Sequence, residues 1–208
     1  MADSQTRTQR PRIEGDREAD ILDATLRLLA TAGYDRLTMD GVAIAAKASK
    51  ATLYRRWTTK SELVIDALLR ARGAPLLEAP DTGSFRGDLL VMACDKSGLN
   101  DTSTLAVMAS VITALHHDAE FATAFHERFL GPKVDAARRV YERAQQRGDI
   151  RPDVDLDLMA HVLAAVILHR FFVLRLPVDD ETVIAIIDQI VIPAAVAPRQ
   201  PPGNDLSP

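Results

Sequence analysis

From Lys47 to Lys60 the chain carries five cations and no acid: Lys47 itself, three in the run Ser49-Lys50-Ala51-Thr52-Leu53-Tyr54-Arg55-Arg56-Trp57, and the Lys60 that follows. The chain as a whole has a formal charge of −4, so this stretch runs against its surroundings. Ammonium and guanidinium groups neutralise phosphates, and hydroxyls donate to them. A short basic helix with hydroxyls and an aromatic, entered from another short helix, has the chemistry to lie in a DNA groove and grip its backbone.

Other clusters suggest other chemistry and fall short of it. His116, His117 and His126 have neither Cys companions nor an H-x-x-x-H pair, and adjacent histidines on a helix diverge by about 100°. His161 and His169 can share a helix face, either as satisfied core histidines or as the polar edge of a ligand cavity. Asp153, Asp155 and Asp157 have the alternation of a calcium loop without its glycine or its closing glutamate, and read instead as caps for the helix that follows. No Gly-rich phosphate loop, nucleophile elbow or acid–base constellation occurs. The sequence therefore predicts no enzyme, no cofactor and no resident metal. A helical metal-dependent enzyme built on the three histidines is the remote alternative.

Helices must position the basic run. Ile21, Leu22, Leu26, Leu28, Leu29 and Ala32 fall on one helical face, Asp16 can cap the start, and Gly33 suits a left-handed end, which predicts a helix over about 17–32. Thr38 can cap a second helix through Ala46, with Asp40 complementing the positive end of its dipole. Ser49 can cap a third, running to about Trp57. Only two or three residues separate these helices, so they must cross, as in a helix-turn-helix. Thr59 and Glu62 form a capping box that opens a fourth helix from 60 to about 72.

The segment Gly73–Ser84, with Pro75, Pro80 and Gly83, then interrupts helical structure. Helices resume at Phe85–Lys96, Thr102–His116 and Asp118–Leu130, and another runs from Pro132 to about Arg147; Gly131-Pro132 either kinks one long helix or separates two. The last two helices, about Asp155–Leu174 and Asp180–Ala197, are apolar almost all round, so each must be covered on more than one side, by the domain core or by a second subunit. The expected fold is all-α with about nine helices. It divides into a flexible arm (1–15), a helix-turn-helix DNA-binding domain with its linking helix (16–72), a C-terminal helical domain (73–197) and a disordered tail (198–208).

Composition is consistent with this division. Aromatic residues reach only 5 % against 47 % hydrophobic, so aliphatic helix packing must dominate. Residues 1–72 hold 13 Lys and Arg against 10 Asp and Glu, whereas 73–208 hold 12 against 19, which suggests that only the first third meets a polyanion. The single Cys94 excludes an intrachain disulfide. The N-terminus shows no signal sequence, and the longest apolar run, Val162–Leu168, is about a third of the ~20 residues a membrane span requires. A cytoplasmic protein with no membrane partner is expected.

The order of elements resembles the TetR family of bacterial transcriptional repressors, through Ala32-Gly33-Tyr34-Asp35-Arg36-Leu37-Thr38-Met39-Asp40, the Ser49–Trp57 run and Lys60-Ser61-Glu62-Leu63. Gly148-Asp149-Ile150-Arg151-Pro152-Asp153-Val154-Asp155 is also similar to the turn before the last two helices of many members. Two positions depart from the commonest pattern: Lys47 and Ala51 stand where members often carry Gly. A positive φ at Lys47 would cost about 1 kcal/mol.

Residue by residue, the N-terminal part of a recognition helix meets base edges. Ser49 opens that helix, Lys50 and Thr52 face bases or adjacent phosphates, and Ala51 can touch a thymine methyl. Thr38 offers a hydroxyl and a helix N-terminus to one phosphate. Tyr54 and Lys60 are expected phosphate clamps. Arg55 and Arg56 diverge by about 100°, so at most one reads a guanine while the other meets backbone or solvent; the resemblance puts Arg56 in the DNA-facing position. Leu53 and Trp57 face inward.

The resemblance further implies a homodimer on a palindromic double-stranded operator. An unknown small-molecule effector in the C-terminal helices would move the fourth helix and release the DNA. Candidate pocket residues are Met92, Val107, Met108, Val111, Phe125, Phe129, Val166, His169, Arg170 and Phe171, each of which also suits plain core. They would suit a hydrophobic or anionic ligand. Candidate dimer contacts are Leu163, Ile167, Leu174, Val183, Ile186, Ile187 and Ile190. The alternative within DNA binding is an effector-independent activator or architectural protein.

Overall fold

The computed structural model describes residues 14–71, 79–94 and 102–196, so the expected arm and tail lie almost wholly outside it. The described residues form nine helices: α1 (Glu14–Ala32), α2 (Met39–Ala45), α3 (Lys50–Arg56), α4 (Lys60–Ala71), α5 (Phe85–Cys94), α6 (Thr102–His117), α7 (119–147), α8 (156–173) and α9 (180–196). The all-α expectation holds. α1 begins at Glu14, so Asp16 lies inside the helix rather than capping it.

Gly131-Pro132 does not split α7. Proline has no N–H to donate, and its ring collides with the carbonyl four residues back. The chain answers with a wide π turn at His126–Leu130, closed by the Gly131 N–H on the His126 carbonyl, before α-helix resumes. A Cβ at position 131 would meet that carbonyl oxygen at 3.0 Å, so glycine permits the close approach. The same device recurs in α9, where a π turn at Ile187–Val191 precedes Pro193. A third π turn, His169–Val173, ends α8, and Arg175 just beyond it has φ 54°.

Two apolar cores result, the first drawing on helices from both sides of the Gly73–Ser84 segment and the second lying wholly beyond it. In the first, Ile21, Leu29, Leu53, Trp57 and Leu63 of α1–α4 pack together with Val107, Met108, Val111, Phe121, Phe125 and Phe129 of α6 and α7. The second holds α5, the later part of α7, α8 and α9, around Tyr141, Leu163, Ile167, Val183 and Ile187. Burial of the large side chains in each is worth roughly 1.5–3 kcal/mol apiece.

Candidate nucleic-acid interface

Caps define the helices that carry the basic run. Thr38 Oγ accepts the Gly41 N–H at 3.0 Å to start α2. Ser49 Oγ accepts the Thr52 N–H at 3.1 Å to start α3, and the two hydroxyls lie 2.8 Å apart. Thr59 accepts the Glu62 N–H at 3.1 Å, and the Glu62 carboxylate returns to the N–H groups of Thr58 and Thr59 at 2.7 and 3.4 Å. This is the expected capping box, extended by one residue.

Between α2 and α3, Lys47 adopts φ 52°. Its N–H reaches the Ile44 carbonyl at 3.1 Å and the Ala48 N–H reaches the Ala43 carbonyl at 2.9 Å, which is a Schellman turn with lysine in the position that favours glycine. Arg17 donates to the Lys47 carbonyl at 2.6 Å from α1 and braces the strained residue.

The faces of α3 are sharply divided. Leu53 and Trp57 are buried, while Lys50, Ala51, Tyr54, Arg55 and Arg56 are exposed and Thr52 is half-buried. The exposed cations are not all extended into solvent. Lys50 Nζ sits 2.5 Å from the Asp40 carboxylate across the turn, and that hydrogen bond and charge raise the Lys50 pKa above its ordinary value. Arg56 reaches Glu18 of α1 at 3.4 Å and lies 5.9 Å from the Trp57 ring centroid.

Lys60 is held in place by Tyr34. Its ammonium lies 4.0 Å from the centre of the Tyr34 ring and donates to the Tyr34 carbonyl at 3.1 Å. The Tyr34 hydroxyl is itself 3.0 Å from Ser61 Oγ and 3.2 Å from Asp118, the residue that caps the start of α7. Burial pushes the Tyr34 phenol up to about 12; the Ser61 bond opposes that rise and Asp118 adds to it.

The C-terminal candidates divide between the two cores and the surface. Val107, Met108, Val111, Phe125 and Phe129 are buried in the first core, beside the DNA-binding helices. Met92, Val166 and Phe171 pack half-buried against the second core, Arg170 is half-buried, and His169 is exposed. A cleft of about 370 Å³ lies elsewhere on the surface, lined by Gly15, Glu18, Ala19, Leu22, Arg56, Asp66, Leu69 and Arg70 of α1, α3 and α4. Of the dimer candidates, Leu163, Ile167, Val183, Ile186 and Ile187 are buried within the protomer. Leu174 and Ile190 remain 49 % and 43 % exposed. Among the described residues no group of three or more His, Cys, Asp or Glu could hold a metal.

Sequence reasoning gave no role to Asp66 or Arg128, and Tyr34 entered only as part of a motif. Asp66 accepts from the Trp57 indole at 2.8 Å and from Arg128 at 2.7 Å. A signal was available for it, since a buried Trp seeks an acceptor for its N–H. The distance in sequence hid which acid would serve.

Two short capped helices, the second burying Leu53 and Trp57 while exposing a basic, hydroxyl-bearing face, define a helix-turn-helix DNA-binding protein. Residues 21–67 match the family model of bacterial regulatory proteins, tetR family, and residues 79–190 match the tetracyclin repressor-like C-terminal domain. The chain is 34 % identical over 177 residues to the DNA-binding transcriptional repressor TetR of Mycobacteroides abscessus, covering 85 % of this chain and 92 % of that one. It is 32 % identical over 181 residues to an HTH-type transcriptional regulator of Mycobacterium tuberculosis, covering 86 % and 87 %. A solved TetR family transcription regulator superposes with TM-score 0.59 at 30 % identity, covering 85 % of this chain and 97 % of that one. The chain belongs to the TetR family, whose members are DNA-binding transcriptional regulators and not enzymes.

Proposed function

We propose that the protein is a homodimeric repressor that binds a palindromic operator and leaves it when a small molecule occupies the C-terminal helices. The exposed face of α3 carries the proposal. Lys50, Ala51, Thr52 and one of Arg55 and Arg56 read bases or adjacent phosphates, while Thr38, Tyr54 and Lys60 hold the backbone. Lys60 suits a clamp because an ammonium has three donors, one of which goes to the Tyr34 carbonyl. The repressor assignment is supported by the named activity of the Mycobacteroides abscessus relative.

Dimerisation is supported by the exposed apolar surface of the last two helices and the segment that joins them. Leu158, Val173, Leu174, Leu176, Ile190 and Val196 are all exposed, and only 17 % of the stretch Leu156–Val173 is buried within the protomer. That stretch is long and apolar enough to cross a membrane by length and composition alone; a partner's matching helices would cover it equally well. Two reading heads spaced about 34–36 Å apart then reach successive major grooves. For the effector, Arg170 Nε is buried without a hydrogen-bond partner, which supports an anionic group on an otherwise apolar ligand.

Selection of duplexes from a random-sequence library by the purified protein tests the reading. Enrichment of an inverted repeat with half-sites one helical turn apart, bound by two chains, is the expected result. Enrichment of no sequence, or binding by a single chain, would refute it.

A further inference from the structure

Asp66 joins the end of the reading helix to the C-terminal helices with both of its carboxylate oxygens. One oxygen accepts the Trp57 indole N–H at 2.8 Å, immediately after α3 ends. The other accepts the Arg128 guanidinium at 2.7 Å. Arg128 lies in the π turn that Pro132 imposes on α7, flanked by Phe125 and Phe129, which are buried against the same core as Trp57. Any change of pitch at that turn moves Arg128 and the two rings together. π turns of this kind recur at functional positions in helices.

We infer that Arg128 and Asp66 are positioning residues for DNA binding: the Arg128–Asp66–Trp57 relay sets the orientation of α3 from α7. This deepens the DNA-binding reading above and rests on it. Physically, Trp57 is 2 % exposed and anchors the C-terminal end of α3, a helix of seven residues with too few internal hydrogen bonds to fix its own direction. Asp66 is the acceptor for its only polar atom. An acceptor shared with Arg128 has its rotamer fixed from the far side, so the reading helix is ordered before DNA arrives. Without Arg128 that ordering must occur during binding, and affinity falls by the fraction of molecules correctly arranged.

The relay is separable from a plain stabilising contact. Arg86 makes an ion pair of the same length with Asp188, 2.7 Å, between α5 and α9, far from the reading head. Trp57 is the only tryptophan in the chain, so its emission reports the relay directly.

The experiment measures binding of wild type, Arg128→Ala, Arg128→Lys, Asp66→Asn, the Arg128→Ala/Asp66→Asn double variant and Arg86→Ala to a duplex that the wild type selects from a random library. Trp57 emission and thermal midpoint are recorded for each. Arg128→Ala should weaken binding about three- to tenfold, with an unchanged salt slope because no phosphate contact is lost. Its Trp57 emission should shift, and Arg128→Lys should recover most of the affinity. The double variant should bind no worse than the worse single variant, since both act through one carboxylate. Arg86→Ala should bind as wild type.

The inference is overturned if Arg128→Ala leaves affinity and Trp57 emission unchanged, if the two losses add in the double variant, or if Arg86→Ala loses as much affinity. Should the wild type select no DNA, the functional reading fails, and the emission of Arg128→Ala still decides whether the relay reaches Trp57.

Discussion

Replacing Lys60 by alanine separates a phosphate clamp from a structural lysine, because the two roles respond differently to salt. Each phosphate contact contributes about 0.9 to the slope of log K against log salt, so a homodimer that loses two should show a slope shallower by about 1.8. If that term vanishes near 1 M salt, the variant binds about 200-fold more weakly than wild type at 50 mM and about 20-fold more weakly at 200 mM. The same substitution removes the ammonium from the Tyr34 ring, 4.0 Å away, and from its carbonyl, 3.1 Å away. Those contacts are worth about 1 kcal/mol each in folding and do not depend on the DNA. Fluorescence anisotropy on a labelled operator across that salt range, with urea unfolding of the free protein, distinguishes the two. A deficit that stays constant with salt would refute the clamp and leave Lys60 acting only through Tyr34.

Lys50→Ala and Arg56→Ala should change which bases are enriched in a selection, whereas Tyr54→Phe should weaken binding to every sequence alike. If the protein is the proposed homodimer, Leu174→Glu or Ile190→Glu should give folded monomers by light scattering; a dimer retained in both would remove the exposed C-terminal face as the interface. Asp88 is buried, and burial alone would raise its pKa, but the Thr82 N–H and hydroxyl at 2.6 and 2.8 Å and Arg147 at 3.0 Å outweigh that and hold it below the ordinary value. Its contribution is therefore present above the ordinary carboxylate pKa and lost as pH falls; Asp88→Asn should cost about 2–3 kcal/mol near neutrality and flatten the acid limb of a stability–pH curve. At the other extreme, the Tyr34 phenol is raised from 10.0 to about 12, so its contribution is complete below pH 10 and lost as pH rises through about 12. Tyr141, raised by burial, adds to that alkaline loss, and Tyr34→Phe should reduce it in a pH-dependent unfolding series.

The reading head was legible because its signals are local. Thr38, Ser49 and Thr59 each satisfy an N–H three residues on, so the caps could be placed from spacing alone, and Leu53 and Trp57 face inward because four residues make one turn. The positive φ of Lys47 was only conditional at the level of sequence, because the resemblance puts lysine where members often carry Gly. What spacing did not contain was the partner of each charge. Lys50 meets Asp40 across ten residues, Arg56 meets Glu18 across 38, and Asp66 joins Trp57 to Arg128 across the whole first core.

The C-terminal helices were opaque for a different reason. α8 and α9 are apolar on nearly every side, and such a pattern states that a residue is covered without stating by what. Five of the seven expected dimer contacts are buried within the protomer, while Leu158, Val173, Leu176 and Val196, which had no assigned role, are exposed together with Leu174 and Ile190. The expected effector residues of α6 and α7 likewise belong to the core they share with α1–α4. Packed cores shift between discrete arrangements rather than deforming smoothly, so a ligand that displaced Phe125 or Phe129 would repack the side chains against Trp57 at the same moment. A core held in common would let such a ligand and the DNA act on one set of contacts.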